Sequence, residues 1–382
     1  MVDFSPTEEQ ELIQRTARDF AMRELAPGAA KRDRECIYPV PELRKLGEVG
    51  LLGVNIPAEY GGAEAGCVAY VLAMIELAKV CPSTCVIVTV TNMVAEIVNR
   101  FGTEAQRRKY VTKITSGDAI AGAFALSEPQ CGSDAASIKT TAKHTADGWV
   151  LNGTKQWITS GDHAEVIVVW ARTGEEPGAK GISAFVVEQR TPGLIIGKHE
   201  DKLGVRGSTT VPLVFEDCLI PEDALLGEEG GGFLISMAAL DGGRIGIASQ
   251  ALGIGFAALE HAIGYAKERK TFGKAIAKHQ AIQWMFADSA TELEAARLLT
   301  LRSASLKEQG KPYTKEASMA KVYASETANR VCYRALQIHG GYGYTKDYPV
   351  ERLTRDARAT TIYEGTSEIQ RIVIARSLLR DS

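Results

Sequence analysis

The chain lacks an excess of charge of either sign and a long unbroken apolar run. Its 382 residues carry 44 Lys+Arg against 47 Asp+Glu, a formal net charge of −3, and the isoelectric point is about 6.2. A protein that binds nucleic acid by neutralising phosphates needs a basic surface, so that class is disfavoured. The most apolar run, from Cys85 to Val98, is interrupted by Thr89, Thr91, Asn92 and Glu96. Because crossing a bilayer takes about 20 apolar residues, we expect no membrane span.

Paired cysteines and clustered metal ligands are also missing. The seven cysteines are odd in number and scattered, which predicts reduced thiols rather than a disulfide framework. The six histidines show no helical pairing with an acid, so we expect no metal site. The first residues are acidic and resemble no export leader. We therefore expect a cytoplasmic protein, or a mitochondrial matrix protein if a transit peptide has been removed.

Three regions differ in periodicity. Up to about Ala119 the apolar spacing is helical. From about Ala121 to Leu226 short β-rich runs alternate with turns and not with long helices. Beyond that, four long helical patterns follow. The sequence predicts an α+β protein with an N-terminal helical domain (1–119), a middle antiparallel β-barrel or sandwich domain (120–229) and a C-terminal four-helix bundle (230–382).

Several glycine-rich motifs have two readings each. Gly253-Ile-Gly-Phe-Ala-Ala258 resembles a dinucleotide fingerprint, but no strand precedes it, and we interpret its small residues as helix-packing positions. The loop Phe124–Asp134 either binds a cofactor or is an ordinary connector. In the segment Trp157–Thr159, the tryptophan either packs against a cofactor or is a core residue of a strand. Asp241-Gly-Gly-Arg244 puts two glycines inside a helix, which indicates close approach by a helix or a ligand. The segment Glu268–Gly273 either contacts a ligand or is simply the C-terminal end of a helix.

Glu364 is the candidate base. It lies between Ile362-Tyr363 and Gly365, just before a helix that Ser367 and Gln370 are expected to cap. A helix N-terminus favours pyrophosphate. A lone glutamate in a loop is usually solvated, whereas one set among apolar residues can be a desolvated base with a raised pKa.

Together these segments resemble the acyl-CoA dehydrogenase family, from Ser5 to Leu379, and most closely its short-chain (butyryl-CoA) members. The matching stretches are Phe124–Asp134, Trp157–Thr159, Asp201–Ser208, Leu240–Gln250, Arg269–Gly273, Gln337–Tyr344 and Arg355–Gln370.

The resemblance implies a homotetramer, a dimer of dimers, in which FAD lies between the domains. It implies the following FAD-binding residues: Phe124, Leu126, Ser127, Gly132, Ser133, Trp157, Ile158 and Thr159 at the isoalloxazine; Thr366, Ser367 and Glu368 from the same subunit; and Arg269, Thr271, Phe272, Gln280, Gln337, Gly340 and Gly341 near the FAD of a neighbour. For the acyl-CoA it implies Ser133, Phe233, Asp241, Arg244, Tyr363 and Gly365.

By the same resemblance, the Glu364 carboxylate removes the α-proton of the thioester while the β-hydride passes to flavin, and the product is the trans-2-enoyl-CoA. Some relatives carry the base immediately before the arginine on the 241–244 helix, where this chain has Gly243. We expect electrons to pass to electron-transferring flavoprotein. A branched or cyclic acyl substrate, an acyl-CoA oxidase and a non-catalytic helical scaffold are the alternatives. Oxidases of this kind are usually longer by a helical domain, which disfavours that alternative for a chain of this length.

Overall fold

The computed structural model describes residues 5–380; residues 1–4, on which the expectation about a leader rests in part, lie outside the described residues. The first helix begins with a capping box, in which the Gln10 N–H donates to Thr7 Oγ1 and the Thr7 N–H to Gln10 Oε1. The helices of this first region are α1 (Glu8–Phe20), α2 (Ala29–Glu35), α3 (Val40–Glu48), α4 (Gly66–Val80), α5 (Pro82–Phe101), α6 (Glu104–Gln106) and α7 (Thr112–Ser116).

Helix α5 contains the apolar run on which the expectation of no membrane span rests. By length and composition it could cross a bilayer, and it is the one such helix among residues 5–380. However, 78% of its apolar window is buried inside the protein. The apolar character of α5 therefore matches a core helix, packed against α4 and the first strand.

The middle region is one eight-stranded sheet. Seven strands follow the order β6-β7-β3-β2-β4-β5-β8, with β1 beside β4. Most pairs are antiparallel, as expected, but β1 and β2 each pair with β4 in parallel. The strands are β1 (Gly122–Ala125), β2 (Thr141–Thr145), β3 (Gly148–Thr159), β4 (Val166–Arg172), β5 (Ile182–Glu188), β6 (Leu194–Ile196), β7 (Thr210–Ile220) and β8 (Leu225–Leu226).

The C-terminal region is built around one long helix. Its elements are α8 (Gly232–Glu268), the hairpin β9 (Lys270–Thr271) and β10 (Lys274–Ala275), α9 (Gln280–Glu308), α10 (Thr314–His339), α11 (Pro349–Ala359) and α12 (Ser367–Arg380). Helix α8 packs against α4, α5, α9, α10 and α11. A Cβ on Gly253 would lie 2.5 Å from the Ala78 Cβ of α4, so its reading as a helix-packing position is confirmed. The α+β architecture is confirmed as well, with the helical C-terminal region that the sequence predicts.

The loop of the middle region that contains Leu203 and Val205 is bound to the helix α11, which precedes the candidate base, and α11 is bound in turn to the N-terminal region. The Arg355 guanidinium of α11 binds Asp33 of α2 at 2.7 Å and the Leu203 carbonyl at 3.1 Å. The Asp356 carboxylate accepts from the Val205 N–H at 2.6 Å, and burial raises its pKa to about 7. These contacts fix α11, and the chain then runs directly into the turn that carries Glu364.

Candidate active site

Glu364 is half-buried, but its carboxylate is enclosed by protein. Neither carboxylate oxygen is exposed, and among the described residues neither has a hydrogen-bond donor. Burial raises the pKa of Glu364 to about 7, against the opposing charges of Lys321 and Arg244. The residue has a φ of 50°, in the left-handed region that non-glycine residues rarely adopt. A strained backbone and a buried carboxylate without a hydrogen-bond donor both cost folding free energy. Such arrangements concentrate at functional sites.

Space for this carboxylate is made by a missing side chain on α8. A Cβ at Gly243 would clash with Glu364 Oε2 and would lie 2.8 Å from Met93 Sδ of α5. The expected close approach to the Gly242-Gly243 backbone is confirmed, but the group that approaches Gly243 most closely is the Glu364 side chain of a turn and not a helix or a ligand. Position 243 and the Glu364 carboxylate therefore compete for one space, which Met93 also borders and which is called the chamber below.

Two buried cations stand near this carboxylate. Arg244 of α8 is held by Asp241, which accepts from its Nη1 at 2.6 Å, and its Nε has no partner among the described residues. Lys321 of α10 is fully buried, and its Nζ donates to the Gly365 carbonyl at 2.7 Å. Burial lowers the pKa of Lys321 to about 8, although the neighbouring Glu364 favours its charged form. One carboxylate and two buried cations thus lie close together, away from bulk solvent.

The turn after Glu364 is capped differently from the expectation. The Ile369 N–H donates to Thr366 Oγ1 at 3.3 Å, so Thr366 and not Ser367 caps α12. The Gln370 side chain donates to the carbonyls of Glu364 at 3.2 Å and Gly365 at 2.8 Å instead of closing a capping box. The capping-box prediction is therefore wrong, because Gln370 is used to hold the turn that carries the base.

A cleft opens at the start of α12. It has a volume of about 500 Å³, and the Ser367 hydroxyl is buried without a partner among residues 5–380. An unpartnered hydroxyl beside a helix N-terminus suits a phosphate oxygen. The lining residues are Glu326, Asn329, Arg330, Arg358, Thr361, Ile362, Thr366, Ser367 and Glu368.

The tryptophan of the 157–159 segment is turned out of its strand. A register shift in the β3–β7 pairing falls between Lys155 and Ile158, and Trp157 within it has a φ of 65°. Its side chain is 61% exposed. Trp157 is thus an exposed aromatic and not a core residue, whereas Ile158 is buried and Thr159 is half-buried.

The loop that follows β1 lies alongside this strand. The Ser127 carbonyl accepts from the Gln156 N–H at 2.9 Å, which joins the two predicted cofactor segments. Gly132 and Ser133 are exposed, whereas Leu126 is buried and can reach a ligand only through its main chain. The side chains of Phe124, Phe233 and Tyr363 pack on one hydrophobic cluster that contains Met93 and Leu126.

A buried ion pair behind this loop was not expected from the sequence. Lys155 Nζ donates to Glu128 Oε1 at 2.7 Å and to the Leu126 carbonyl at 3.2 Å. Glu128 also accepts from the main-chain N–H of Lys139 and Thr140. Burial alone would raise the pKa of Glu128, but Lys155 and these donors hold it at about 2. Side chains alternate between the two faces of β3, which places Lys155 on the inward face with Leu151. This alternation could have indicated from the sequence that Lys155 is buried.

We expect Lys155→Met to loosen the loop and weaken cofactor retention. The substitution leaves the Glu128 charge buried without its counter-ion, which costs about 3–5 kcal/mol. Because Lys155 also holds the Leu126 carbonyl, the purified variant should contain less flavin per chain than the unaltered protein. Flavin absorbance after gel filtration measures this, with Lys143→Met on the exposed face of β2 as the matched control. Full flavin content in Lys155→Met would contradict the expectation.

The residues expected to reach a neighbouring subunit lie together at one end of the bundle. Arg269 stacks over Tyr342 at 5.6 Å, and the Phe272 and His279 rings meet edge to face at 6.1 Å. Phe272 is 95% exposed. Arg269, Gln280, Gln337, Gly340 and Gly341 are exposed and Thr271 is half-buried. In the described part of the chain no hydrogen bond, ion pair or ring contact joins this set to Glu364.

Further polar residues along α8, beyond Gly243, were not predicted from the sequence. On the face of α8 that carries Gly243, a Cβ at Gly246 would lie 2.9 Å from the Tyr70 hydroxyl and 3.2 Å from the Thr89 Cβ. One turn further, the Tyr363 hydroxyl donates to Gln250 Oε1, and Gln250 Nε2 donates to the Pro82 carbonyl at 2.9 Å. Polar groups therefore pack against α8 on this side of Gly243.

Family models match almost the whole chain: the acyl-CoA dehydrogenase N-terminal domain over residues 7–118, the middle domain over 123–218 and the C-terminal domain over 230–379. The chain belongs to the acyl-CoA dehydrogenase family. It is 53% identical to the human mitochondrial short-chain specific acyl-CoA dehydrogenase over 98% of this chain and 90% of that protein. It is also 48% identical to the acryloyl-CoA reductase (NADH) of Anaerotignum propionicum, over 99% of this chain and 96% of that one.

Solved structures agree with this assignment. Butyryl-CoA dehydrogenase from Megasphaera elsdenii has a TM-score of 0.97 and 43% identity, covering 99% of this chain and 100% of that chain. A chain in the structure described as the electron transferring flavoprotein of Acidaminococcus fermentans has a TM-score of 0.98 and 48% identity, with full coverage of both chains.

One solved structure overturns a length argument. The prolyl acyl carrier protein oxidase AnaB has a TM-score of 0.93 and 35% identity, covering 98% of this chain and 100% of that chain. An oxidase with this fold therefore exists at the length of this chain. Chain length does not separate an oxidase from a dehydrogenase here.

Proposed function

We propose that this protein catalyses FAD-dependent α,β-dehydrogenation of a short-chain acyl-CoA to the trans-2-enoyl-CoA, with Glu364 as the base for the α-proton. The observation that carries the proposal is the Glu364 carboxylate, which is buried, has no partner among the described residues and has a pKa raised to about 7. A base works best when its pKa lies near the working pH. The scaffold alternative required a solvated Glu364, and the burial of both oxygens argues against it.

The residues present fit FAD. The buried, unpartnered Ser367 hydroxyl at the start of α12 suits a phosphate group, and the out-turned Trp157 offers an exposed aromatic face beside the loop that carries Ser127. Thr366 and Glu368 line the cleft with Ser367. When bound, FAD supplies the acceptor for the β-hydride.

The protein's own residues account for the proton. With Glu364 ionised, its carboxylate accepts the α-proton, and the Glu364 main-chain N–H is the donor that we assign to the thioester carbonyl oxygen. As the glutamate becomes neutral, negative charge develops on the substrate, and the buried cations Arg244 and Lys321 remain close to it. Met93 and Tyr363 add apolar surface that keeps this electrostatic effect unscreened.

The closed end of the chamber supports a short acyl chain. Gly243, beside the base, and Gln250, at the closed end, are seven residues apart on one helix, a rise of about 10 Å. Within that span Tyr70, Thr89 and the Gln250–Tyr363 pair occupy the space next to α8. A long acyl chain would have to displace these groups, as would a bulky cyclic one.

Gln250→Ala is therefore expected to shift the preference toward longer chains. The substitution removes the amide that closes the chamber, and each added methylene in an apolar pocket is worth about 1–3 kcal/mol. The ratio of kcat/KM for hexanoyl-CoA to that for butyryl-CoA should rise about tenfold or more. Because the Tyr363 hydroxyl also loses its acceptor, both rates should fall, and the ratio is the quantity to measure. Ser249→Ala, on the neighbouring position of α8, is the control. An unchanged ratio would remove Gln250 from the pocket.

The proposal as a whole is tested by anaerobic titration of the flavoprotein with straight, branched and cyclic acyl-CoAs. Bleaching of the flavin absorbance should be fastest with butyryl-CoA. Bleaching by none of these thioesters, in protein that carries stoichiometric flavin, would refute the proposed function. Faster bleaching by a branched or cyclic thioester would keep the reaction and replace the substrate.

The raised pKa of Glu364 predicts the pH dependence. The carboxyl group must be ionised to accept a proton, so kcat/KM should be low in acid, rise about tenfold per pH unit and level off above a midpoint near 7. A group at the ordinary glutamate pKa would already be ionised at pH 5.5. A profile that is flat between pH 5.5 and 8 would therefore contradict the assignment of Glu364.

Electron-transferring flavoprotein is the acceptor that we propose, supported by the similarity to a chain in the Acidaminococcus fermentans structure. The likeness to AnaB keeps an oxidase as the second candidate. Reduction of electron-transferring flavoprotein under argon, with peroxide formed in air at a small fraction of turnover, supports the first. Peroxide release that equals turnover supports the second.

We also propose a homotetramer, a dimer of dimers, in which the exposed set around Phe272 meets a second copy. Sedimentation of the holoenzyme tests the stoichiometry, and Phe272→Asp should weaken the assembly. The cytoplasmic or mitochondrial-matrix location remains a prediction, in keeping with relatives from bacteria and mitochondria.

A further inference from the structure

Lys321 is a buried cation with no ion-pair partner. Its side chain is fully buried on α10, and no carboxylate within residues 5–380 forms an ion pair with it. Lysine is almost never fully buried unless it is paired, because its charge loses hydration. The other fully buried lysine of the described chain, Lys155, has Glu128 at 2.7 Å. Lys321 therefore needs a different explanation.

The Lys321 ammonium is bound to the main chain of the base turn. Its Nζ donates to the Gly365 carbonyl at 2.7 Å, and Gln370 Nε2 donates to the same oxygen at 2.8 Å. Gln370 also holds the Glu364 carbonyl at 3.2 Å. Two fully buried donors from two helices thus hold consecutive carbonyls of a turn in which Glu364 has a φ of 50° and Gly365 of 87°.

We propose that Lys321 is a positioning residue for the reaction, which holds the strained Glu364–Gly365 peptide so that the carboxylate and the N–H of Glu364 face the substrate chamber. Glu364 at its positive φ, without this clamp, would relax toward the ordinary helical or extended regions, and its carboxylate would leave the gap over Gly243. The inference rests on the proposed function of Glu364 and adds a residue to it.

The charge of Lys321 has a second effect on the same group. The titratable groups that face Glu364 are Lys321 from α10, Arg244 from α8, Tyr70 from α4 and the adjacent Tyr363. Of these, Lys321 and Arg244 carry the positive charges that favour the ionised carboxylate. Removal of one cation should therefore raise the pKa of the base as well as loosen its turn.

The test separates the hydrogen bond from the charge. Lys321→Gln keeps a donor without charge, Lys321→Arg keeps the charge, and Gln370→Met removes the second donor to the Gly365 carbonyl. Measurements are flavin content, kcat and KM for butyryl-CoA against pH, and hydrogen exchange of peptides covering residues 360–370. We expect Lys321→Gln to retain flavin, lose kcat about tenfold or more with KM little changed, and move the pH midpoint upward. Lys321→Arg should keep the midpoint near that of the unaltered enzyme, and Gln370→Met should exchange faster in the turn without moving the midpoint upward.

The outcomes are distinguishable. Lys321→Gln with unchanged kcat, midpoint and exchange overturns the inference, as does an equal loss of flavin and activity in both Lys321 variants, which indicates a purely structural role. If the unaltered holoenzyme does not oxidise butyryl-CoA, the proposed function fails instead. The exchange measurement then still decides whether Lys321 holds the turn.

Discussion

Glu364→Gln is expected to retain FAD and to lose turnover by about 10³-fold or more. Glutamine has nearly the same shape but cannot accept the α-proton, and the carboxylate nearest Gly243 is that of Glu364. The segments around Ser127, Trp157 and Ser367, which we propose bind the flavin, are not altered by the change. Stopped-flow bleaching by butyryl-CoA measures the loss, and the flavin spectrum of the purified variant measures retention.

The matched control is Glu260→Gln, on the outer face of α8, where the carboxylate pairs with Lys79 at 3.1 Å and is largely exposed. This control should bleach at the normal rate. Glu364→Gln that turned over within tenfold of the unaltered enzyme would refute Glu364 as the base. A variant that lost flavin together with activity would assign Glu364 to cofactor binding instead.

Periodicity and turn residues were sufficient for the architecture. The change from helical spacing to short β-rich runs near Ala119, and back at the Gly230–Gly232 turn, follows from patterns that bury one face of each element. The position of Glu364 between apolar residues and a glycine also suggested a desolvated carboxylate. The resemblance then gave it a chemical role, and burial of both oxygens agrees with that role.

The misses share a physical cause, since each concerns a polar side chain used by a distant part of the chain. Gln370 has the right spacing for a cap, yet it binds the Glu364 carbonyl because the strained turn leaves that oxygen unpaired. Lys321 lies on the same face of α10 as the small buried residues Ala317, Ala324 and Ala328. A lysine within this row of alanines was the sequence feature that could have indicated its burial. A single sequence shows such a lysine as a helix-former, and only the packed fold shows that it is buried.

The second large effect concerns the position of the base. Glu364→Gly alone should lose turnover to the extent of Glu364→Gln, and Gly243→Glu in the same chain should restore about 10- to 100-fold of it. The reason is geometric, because a Cβ built at Gly243 points into the volume that Glu364 Oε2 occupies. With that oxygen removed, a glutamate on α8 has room and faces the same Lys321 and Arg244. Rates of flavin bleaching by butyryl-CoA for the single and double variants measure the rescue.

Gly243→Glu in the presence of Glu364 is the control that separates chemistry from space. Two carboxylates would then compete for one volume and repel each other, so this single variant should be less active and less stable than the double variant. A double variant no faster than Glu364→Gly would mean that the chamber accepts a proton acceptor only from the strained turn. In that case the main-chain geometry of residue 364, including the direction of its N–H, would be as necessary for turnover as the carboxylate. The ratio of the double variant to Glu364→Gly therefore measures how much of the catalytic effect belongs to the carboxylate and how much to the turn that Lys321 and Gln370 hold.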